Sequence, residues 1–368
     1  MPIRLADRAA ATSVSGIRKM FEIARTMKNP VNLAIGQPDF PVPPAVKIAA
    51  QNAIAADHNA YTPTAGCPEL LAALHCALPQ YEKEQIMVTS AVSGGLVLAY
   101  LALLNPGDEI LLPDPYFVMY KQLALLLGAR PVFVDTYPDF GLHPERWEAA
   151  ITPRTRALVL GNPANPTGAA YAEDDLRALA ELARRHRLVL IYDAIYETFS
   201  YDAPFVNVAD FYREGTLFLG GFSKSHAMTG WRVGYAAGPL ELLQTMAKFQ
   251  QFTFVCAPAP LQDAALTALH KPLTGVAADY RSRRDLLYQG LLDAGYQVEK
   301  PQGAFYIFPQ VPWGTATEFV DECLKRELMV VAGNVFSERD THFRISYATS
   351  PAQLERGLAL LRELKVKS

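Results

Sequence analysis

Residues 216–234 have the sequence TLFLGGFSKSHAMTGWRVG, in which an apolar, strand-like run ends in a turn of small residues that contains Lys224. A lysine that directly follows a buried strand is poorly hydrated, which lowers its pKa and suits its amine for Schiff-base chemistry. Most single lysines are surface residues, so this stretch alone assigns no function. It indicates a β-strand whose carboxyl end leads to a candidate catalytic amine.

Two earlier strand-like runs also end in unusual polar sequences. RLVLIY is followed by Asp193, and the run that ends at residue 160 is followed by GNPANPTG at residues 161–168. A buried carboxylate is costly unless it meets a cation or hydrogen-bond donors, so Asp193 is either an ion-pair partner or a cofactor ligand. The two Asn-Pro pairs favour an extended, turn-forming backbone that presents amide side chains such as that of Asn165.

Short aliphatic runs alternate with longer helical patterns, which is typical of an α/β protein with a mainly parallel sheet. The predicted strands are 109–112, 130–134, 157–160, 188–192 and 216–219, and the predicted helices are 94–104, 173–185 and 240–251. Open α/β sheets bind ligands beyond the carboxyl ends of their strands. The polar residues that follow these strands are therefore candidate functional residues.

The C-terminal hundred residues predict a second, smaller α/β lobe. GAFYIFP, from Gly303, and HFRIS, from His342, are strand-like, and residues 351–364 form a helical pattern. Residues 265–295 predict a helical connector that is interrupted near Pro272. We therefore predict an N-terminal arm with part of the small domain at residues 1–45, a large domain at residues 46–270 and a small domain at residues 271–368.

Composition argues against several classes of partner. Of the 368 residues 50% are apolar, and the formal net charge is −3, so we expect a globular chain without a positive field for nucleic acid or membranes. The longest nearly uncharged run, residues 91–104, is shorter than the roughly 20 residues of a membrane span. The N-terminus lacks the apolar core of a secretory signal. The four cysteines show no CxxC pair or metal-ligand spacing. We expect a soluble, cytoplasmic protein that binds small molecules and no metal.

Three motifs together carry a family resemblance. GNPANPTG, YDAIY at residues 192–196 and GFSKSHAMTGWRVG at residues 221–234 resemble, in this order and spacing, the class I/II aminotransferases of the aspartate aminotransferase family. Further similar stretches are GQPDF at 36–40, YTPTAGCPEL at 61–70, PGDEILLPDPYFVMY at 106–120 and FRIS at 343–346. The resemblance implies fold type I: a large domain with a mainly parallel, mixed sheet flanked by helices, plus a smaller α/β domain. It also implies pyridoxal 5'-phosphate (PLP) as cofactor.

The resemblance implies roles for the strand-end residues. Lys224 would anchor PLP covalently and move a proton at the substrate α-carbon. Asp193 would keep the pyridine nitrogen protonated, so that the ring withdraws electrons. Asn165 and Tyr196 would hydrogen-bond the ring's 3-oxygen. Phe117 would stack on the ring, although an ordinary core aromatic remains an alternative.

The resemblance also implies a phosphate site that is shared between subunits. Arg232 would bind the phosphate with its planar fork, and Ser223 would donate a further hydrogen bond. Tyr61 would reach the phosphate from a neighbouring subunit, so we expect a homodimer. This chain departs from its relatives in the other phosphate turn, which here consists of Ala91, Val92 and Ser93 and lacks the usual glycine. Backbone amides at a helix N-terminus can still bind an anion there.

Substrate recognition is less specified. Arg344 would hold the α-carboxylate in a bidentate interaction, with Asn165 and the backbone of Gly36 beside it. A structural salt bridge is the alternative for Arg344. The side-chain pocket is assigned only to the region of Ile17 and Gln37. No second arginine can be assigned to a distal carboxylate, so the amino donor stays open.

We therefore predict an aminotransferase that moves the amino group of an L-amino acid to a 2-oxo acid, with 2-oxoglutarate or pyruvate as the expected acceptor, by a ping-pong mechanism. A PLP-dependent carbon-sulfur β-lyase on the same fold is the enzymatic alternative, because both reactions begin at the same α-carbon. A non-catalytic ligand-sensing module is a remote alternative, since such proteins normally add a DNA-binding domain. A NAD-dependent oxidoreductase is disfavoured because no glycine-rich fingerprint follows the first strand.

Overall fold

A seven-stranded sheet forms the centre of the computed structural model, which describes residues 3–12, 16, 20, 22 and 27–365. The strands are, in chain order, β1 (Val31–Asn32), β2 (Ile86–Thr89), β3 (Glu109–Asp114), β4 (Arg130–Asp135), β5 (Thr155–Gly161), β6 (Val189–Asp193), β7 (Thr216–Gly221), β8 (Gly234–Ala237), β9 (Tyr306–Ile307), β10 (Leu328–Met329), β11 (Val331–Ala332) and β12 (Phe343–Ser346). The large sheet has the order β2-β8-β7-β6-β5-β3-β4. β8 runs antiparallel to both of its neighbours, β2 and β7, and the other four pairings are parallel, so the sheet is mixed but mainly parallel.

The helices of the described residues connect and cover these strands. They are Asp7–Ala11, Pro44–Ala55, Pro68–Ala77, Ala91–Leu103, Val118–Leu126, Pro144–Ala150, Glu173–Arg185, Phe222–Ser225, Leu240–Thr253, Ala259–Leu269, Val276–Asp293, Ala316–Leu324 and Pro351–Lys365. The predicted connector at 265–295 is thus two helices, and Pro272 lies between them. None of the described helices combines the length and apolar composition needed to cross a bilayer.

The central strands are apolar on both faces because both faces pack against other elements. Along β5, Leu158 and Leu160 belong to one hydrophobic core, whereas Ala157 and Val159 belong to another. All four side chains are fully buried. Continuous apolar runs are typical of such two-sided parallel strands.

The carboxyl ends of β5, β6 and β7 lie side by side. Gly161 pairs with Asp193, and Asp193 pairs with Leu219, in two parallel ladders. This register brings the GNPANPTG segment, Asp193 and the lysine-bearing turn to the same edge of the sheet.

The C-terminal part contributes most of a second hydrophobic core, which Val31, Leu33 and Phe199 also join, and it contains a small antiparallel sheet of order β11-β12-β9. Of the predicted GAFYIFP strand, only Tyr306–Ile307 pairs in that sheet. The residues before it bond the large lobe instead, since the amide of Gly303 donates to the Gly168 carbonyl and that of Ala304 to the Phe199 carbonyl. The domain boundaries at 45 and 270 stay predictions.

Candidate active site

One cavity of about 740 Å³ lies at the carboxyl edge of the large sheet. Among the residues that line it are the predicted site residues Gly36, Ala91, Val92, Ser93, Phe117, Asn165, Asp193, Tyr196, Ser223, Lys224, Arg232 and Arg344. Gln37 also lines it, whereas Ile17 lies outside the described residues. Tyr61 does not line the cavity, and its side chain is 83% exposed. Among the described residues, the structure therefore brings together every predicted site residue except Tyr61, and the roles of these residues stay predictions.

Lys224 lies on the short helix Phe222–Ser225, which directly follows β7. Its Nζ donates a hydrogen bond to the carbonyl oxygen of Gly36 at 2.6 Å. Burial lowers the pKa of Lys224 from 10.5 to about 8, and the nearby cations Arg344 and Arg232 act in the same direction, against the opposing charge of Asp193. Roughly one amine in ten is then neutral at pH 7, compared with fewer than about one in a thousand for an ordinary lysine.

Asp193, the last residue of β6, is 5% exposed. Its Oδ2 accepts a hydrogen bond from the Tyr120 hydroxyl at 2.9 Å, and its Oδ1 accepts one from the Ile195 amide at 3.2 Å. Burial raises the pKa of Asp193 from 3.8 to about 6, although these two donors and the charge of Lys224 lower it. The carboxylate is therefore poorly stabilised by the protein alone, and a further cation beside it would be favourable.

Arg344 lies on β12 and is only 1% exposed. Its Nη1 donates to Asn165 Oδ1 at 3.0 Å and its Nη2 to the Ala34 carbonyl at 2.7 Å. Its guanidinium lies 4.4 Å from the ring centroid of Tyr306 and 4.6 Å from that of Phe336. Burial lowers the pKa of Arg344, and its Nε has no hydrogen-bond partner among the described residues. A buried guanidinium with an unused donor is well suited to a carboxylate ligand.

Gly36 is required by the close approach of Tyr306. A β-carbon at position 36 would lie 2.0 Å from the Tyr306 hydroxyl oxygen, far inside van der Waals contact. That hydroxyl also shares a hydrogen bond of 2.7 Å with the hydroxyl of Tyr196. Gly36, Tyr306 and Tyr196 thus form a packed wall that also places the Gly36 carbonyl against Lys224.

Tyr120 and Tyr306 are cavity residues that the sequence did not predict. Tyr120 lies three residues after Phe117, and their rings form an edge contact with centroids 5.6 Å apart. The spacing from Phe117, and the position of Tyr120 at the end of the family-like stretch 106–120, are the signals that could have pointed to it. Tyr306 lies in the GAFYIFP strand, whose pattern alone does not identify a functional residue.

Another part of the cavity wall is suited to an anion. The helix Ala91–Leu103 begins there, and the first turn of a helix presents unpaired amides. Nη2 of Arg232 lies 3.4 Å from Ser93 Oγ, and Ser223 is buried nearby on the lysine-bearing helix. Ala91 has φ +59°, the left-handed conformation that favours glycine and costs other residues roughly 1–2 kcal/mol. The glycine-free turn therefore adopts a glycine-like backbone.

These features fit one cofactor. The buried carboxylate of Asp193 requires a cation, the Lys224 amine has the lowered pKa that favours reaction with an aldehyde, and the helix N-terminus with Arg232 favours a phosphate. Pyridoxal phosphate carries an aldehyde, a ring nitrogen that can be protonated, and a phosphate. The site thus defines an enzyme of the class that holds pyridoxal phosphate on a lysine. Among the described residues, no group of three or more His, Cys, Asp or Glu could hold a metal ion.

Comparisons with known proteins agree with this class. Residues 28–361 match the model of the family "Aminotransferase class I and II". An aspartate aminotransferase of Pyrococcus abyssi is 35% identical over 98% of this chain and 99% of its own length. An aromatic-amino-acid aminotransferase of Thermococcus litoralis is 34% identical over 96% of each chain. The solved aspartate aminotransferase of Thermus thermophilus with maleate has a TM-score of 0.94 at 35% identity, covering 99% of this chain and 100% of its own.

The chain belongs to the class I and II aminotransferase family. It is a PLP-dependent transaminase, and the predicted fold type I, cofactor and amino-group transfer are confirmed.

Proposed function

We propose that Lys224, Asp193 and Arg344 are the central residues of this transaminase. The supporting observation is that they converge on one cavity, where burial shifts the pKa of Lys224 towards the neutral amine and leaves Asp193 in need of a cation. When bound, pyridoxal phosphate supplies an aldehyde that accepts the amino group and a cationic ring that withdraws electrons from the α-carbon.

Each of these residues has a distinct task. Lys224 would hold the cofactor through its amine and would take a proton from the substrate α-carbon as a general base. Asp193 stabilises the proton on the ring nitrogen through its charge. Arg344 binds the α-carboxylate with its guanidinium and thereby orients the bond to be broken. Asn165 accepts a hydrogen bond from Arg344. In this proposal Asn165 and Tyr196 would also hold the 3-oxygen of the cofactor, so Asn165 would connect the carboxylate-binding residue to the cofactor.

At the phosphate end, the ligands in this proposal are Arg232, Ser223 and the turn of Ala91, Val92 and Ser93. Phe117 stacks on the ring, and the Gly36 backbone lies beside the substrate carboxylate. These assignments are supported by their common place on the cavity wall.

For the acceptor we propose 2-oxoglutarate or pyruvate. The named relatives act on different donors, aspartate in one case and aromatic amino acids in another. The cationic side chains that line the cavity among the described residues are Lys224, Arg232 and Arg344, and all three already have roles here. None of them is left to bind a second carboxylate, so the amino donor stays open. A panel of L-amino acids, scored by the absorbance change of the first half-reaction, followed by a panel of 2-oxo acids, would identify both substrates.

We also propose a homodimer in which Tyr61 completes the phosphate site of the partner subunit. Tyr61 is 83% exposed, and other large apolar side chains, including Phe252 at 85%, are exposed as well. If Tyr61 acts across the interface, Tyr61→Phe in a dimer should weaken cofactor binding by a single hydrogen bond, roughly a tenfold change.

The cysteines are all free thiols, which supports a reducing, cytoplasmic location.

The assignment of Lys224 is tested by borohydride reduction of the holoenzyme. Wild-type protein should gain the mass of the reduced cofactor on Lys224, whereas Lys224→Ala should gain none and lose at least roughly 10²-fold in turnover. The exposed Lys325, 71% accessible, provides the matched control Lys325→Ala, which should behave as wild type. A cofactor adduct on another lysine, or near-normal turnover of Lys224→Ala, would contradict the assignment.

A further inference from the structure

Residues 333–339, which we call the strap, run between β11 and β12 and carry Phe336. Phe336 is fully buried, and its ring lies 4.6 Å from the guanidinium of Arg344. The Tyr116 amide donates a hydrogen bond of 2.7 Å to the Phe336 carbonyl. The strap therefore forms one of the two aromatic contacts that enclose the carboxylate-binding arginine, the other being Tyr306.

Glu338 ties the strap to the large lobe. Its Oε1 accepts hydrogen bonds from the Tyr116 hydroxyl at 2.7 Å and from Lys121 Nζ at 2.6 Å. The Glu338 amide donates to Asp114 Oδ2 at 3.3 Å. Although burial acts in the opposite direction, the donors Lys121 and Tyr116 hold the pKa of Glu338 below its ordinary value. The side chain is thus a carboxylate at neutral pH.

The two donors to Glu338, Tyr116 and Lys121, lie on either side of Phe117 in the sequence. Tyr116 precedes Phe117 in the chain and is 2% exposed, and Lys121 follows on the helix Val118–Leu126. Phe117 itself lines the cavity. The carboxylate of Glu338 therefore connects the segment that carries Phe117 to the segment that carries Phe336.

A second contact of the strap is more solvent-exposed. Arg339 Nη2 donates to Asp135 Oδ2 at 2.8 Å, with the two side chains 45% and 52% exposed. Exposed ion pairs of this kind contribute little. Two donors, one of them on a buried tyrosine, converge on one oxygen of Glu338, and charge-assisted bonds of this kind are the stronger ones. The side chains of Lys121 and Glu338 are 27% and 44% exposed, so the buried donor to Glu338 is the Tyr116 hydroxyl. Glu338 is therefore the main charged link of the strap, beside the hydrogen bond of 3.0 Å that the Tyr137 hydroxyl donates to Ser337 Oγ, and Arg339 offers a control for the other ion pair.

We propose that Glu338 is a positioning residue for substrate carboxylate binding. By fixing the strap against Tyr116 and Lys121, it holds Phe336 against Arg344 and so keeps the guanidinium aimed into the cavity. This inference rests on the proposed role of Arg344. Since both the amino acid and the oxo acid carry the carboxylate, loss of the link weakens the binding of both substrates and leaves the groups around Lys224 in place.

The test compares Glu338→Gln, which keeps the side-chain size, with the control Arg339→Gln in the holoenzyme. For Glu338→Gln the KM of both substrates should rise roughly tenfold, the effect of one charge-assisted hydrogen bond, while kcat changes less than about twofold. The dissociation constant of maleate, an unreactive dicarboxylate, should rise by the same factor. The cofactor absorbance spectrum should stay unchanged, and Arg339→Gln should behave as wild type.

Lys121→Met serves as a second variant in case Glu338→Gln folds poorly. Combined with Glu338→Gln it should add little, because both changes break the same link. A fall in kcat at unchanged KM, or an equal effect of Arg339→Gln, would overturn the inference. Arg344→Lys separates the two proposals: if it leaves KM unchanged, the role of Arg344 fails. If it raises KM while Glu338→Gln does not, only the positioning role of Glu338 fails.

Discussion

Replacing Asp193 by Asn is expected to stabilise the cofactor-free protein, because the buried carboxylate is costly to ionise. The pKa of Asp193 is about 6 instead of 3.8. Each pKa unit corresponds to about 1.4 kcal/mol, so ionisation in the folded chain at pH 7 costs about 3 kcal/mol. Asn avoids this cost and keeps an oxygen that can accept from the Ile195 amide. For a chain of this size we expect the Tm to rise by roughly 5 °C.

The sign of the pH dependence makes this prediction specific. The folded-state pKa of Asp193 is raised, so its penalty is small below about pH 4, develops between about pH 4 and 6, and is complete above pH 6. Scanning calorimetry of the cofactor-free wild type and Asp193→Asn should therefore show a large difference at pH 7.5 and only about a fifth of it at pH 4. An equal difference at both pH values, or a less stable variant at pH 7.5, would refute the reasoning.

Tyr120→Phe is the matched control for the Asp193 prediction. It removes a hydrogen bond to the carboxylate, so the pKa of Asp193 should rise further and stability at pH 7.5 should fall. With cofactor bound, Asp193→Asn should be less stable than wild type, because Asn at this position does not provide a charged partner for the ring nitrogen. A cofactor dissociation constant unchanged by Asp193→Asn would remove that residue from its proposed role.

Two further predictions concern the same wall of the cavity. In the cofactor-free protein, the rate at which an acylating reagent modifies the Lys224 amine should rise with pH with a midpoint near pH 8, because burial lowers the pKa of Lys224 to about 8. Peptide mass spectrometry measures this rate. A midpoint above pH 10, as for ordinary lysines, would contradict the prediction. Gly36→Ala should lower kcat/KM at least tenfold and destabilise the chain by roughly 1–3 kcal/mol, because its methyl group would displace the Tyr306 hydroxyl. Normal activity in steady-state assays would show that this wall is more tolerant than its packing indicates.

The elements that the sequence predicted well are those whose pattern is local. The helix Glu173–Arg185 has the predicted bounds, with acidic residues in its first turn and arginines in its last, as the helix dipole favours. The central strands β5, β6 and β7 follow from their uninterrupted apolar runs. The helix predicted from residue 94 begins at Ala91, because the N-terminal turn has a left-handed residue that no periodicity reveals.

Features that depend on distant contacts could not be predicted. Tyr120 and Asp193 are 73 positions apart, and Lys121 and Glu338 are 217 positions apart. No spacing rule connects such pairs, so the partners of the predicted residues emerge only from the fold. Distant contacts also explain why β9 is short: the backbone amides of the residues before it donate hydrogen bonds to the large lobe and not to the small sheet. The family motifs, by contrast, named cavity residues because several of them, such as Asp193 and Lys224, lie at or directly after the carboxyl end of a strand.

The arrangement of β5, β6 and β7 has a consequence for how such enzymes diversify. Lys224, Asp193 and the asparagine segment follow or end three adjacent strands of the large sheet, whereas Arg344 lies in the separate small sheet. Changes in the small sheet that leave Tyr306 in place can therefore alter how the substrate carboxylate is held without shifting the groups on the large sheet relative to one another. Selection for a new substrate would keep Lys224, Asp193 and the asparagine segment unchanged and would change mainly the residues around them.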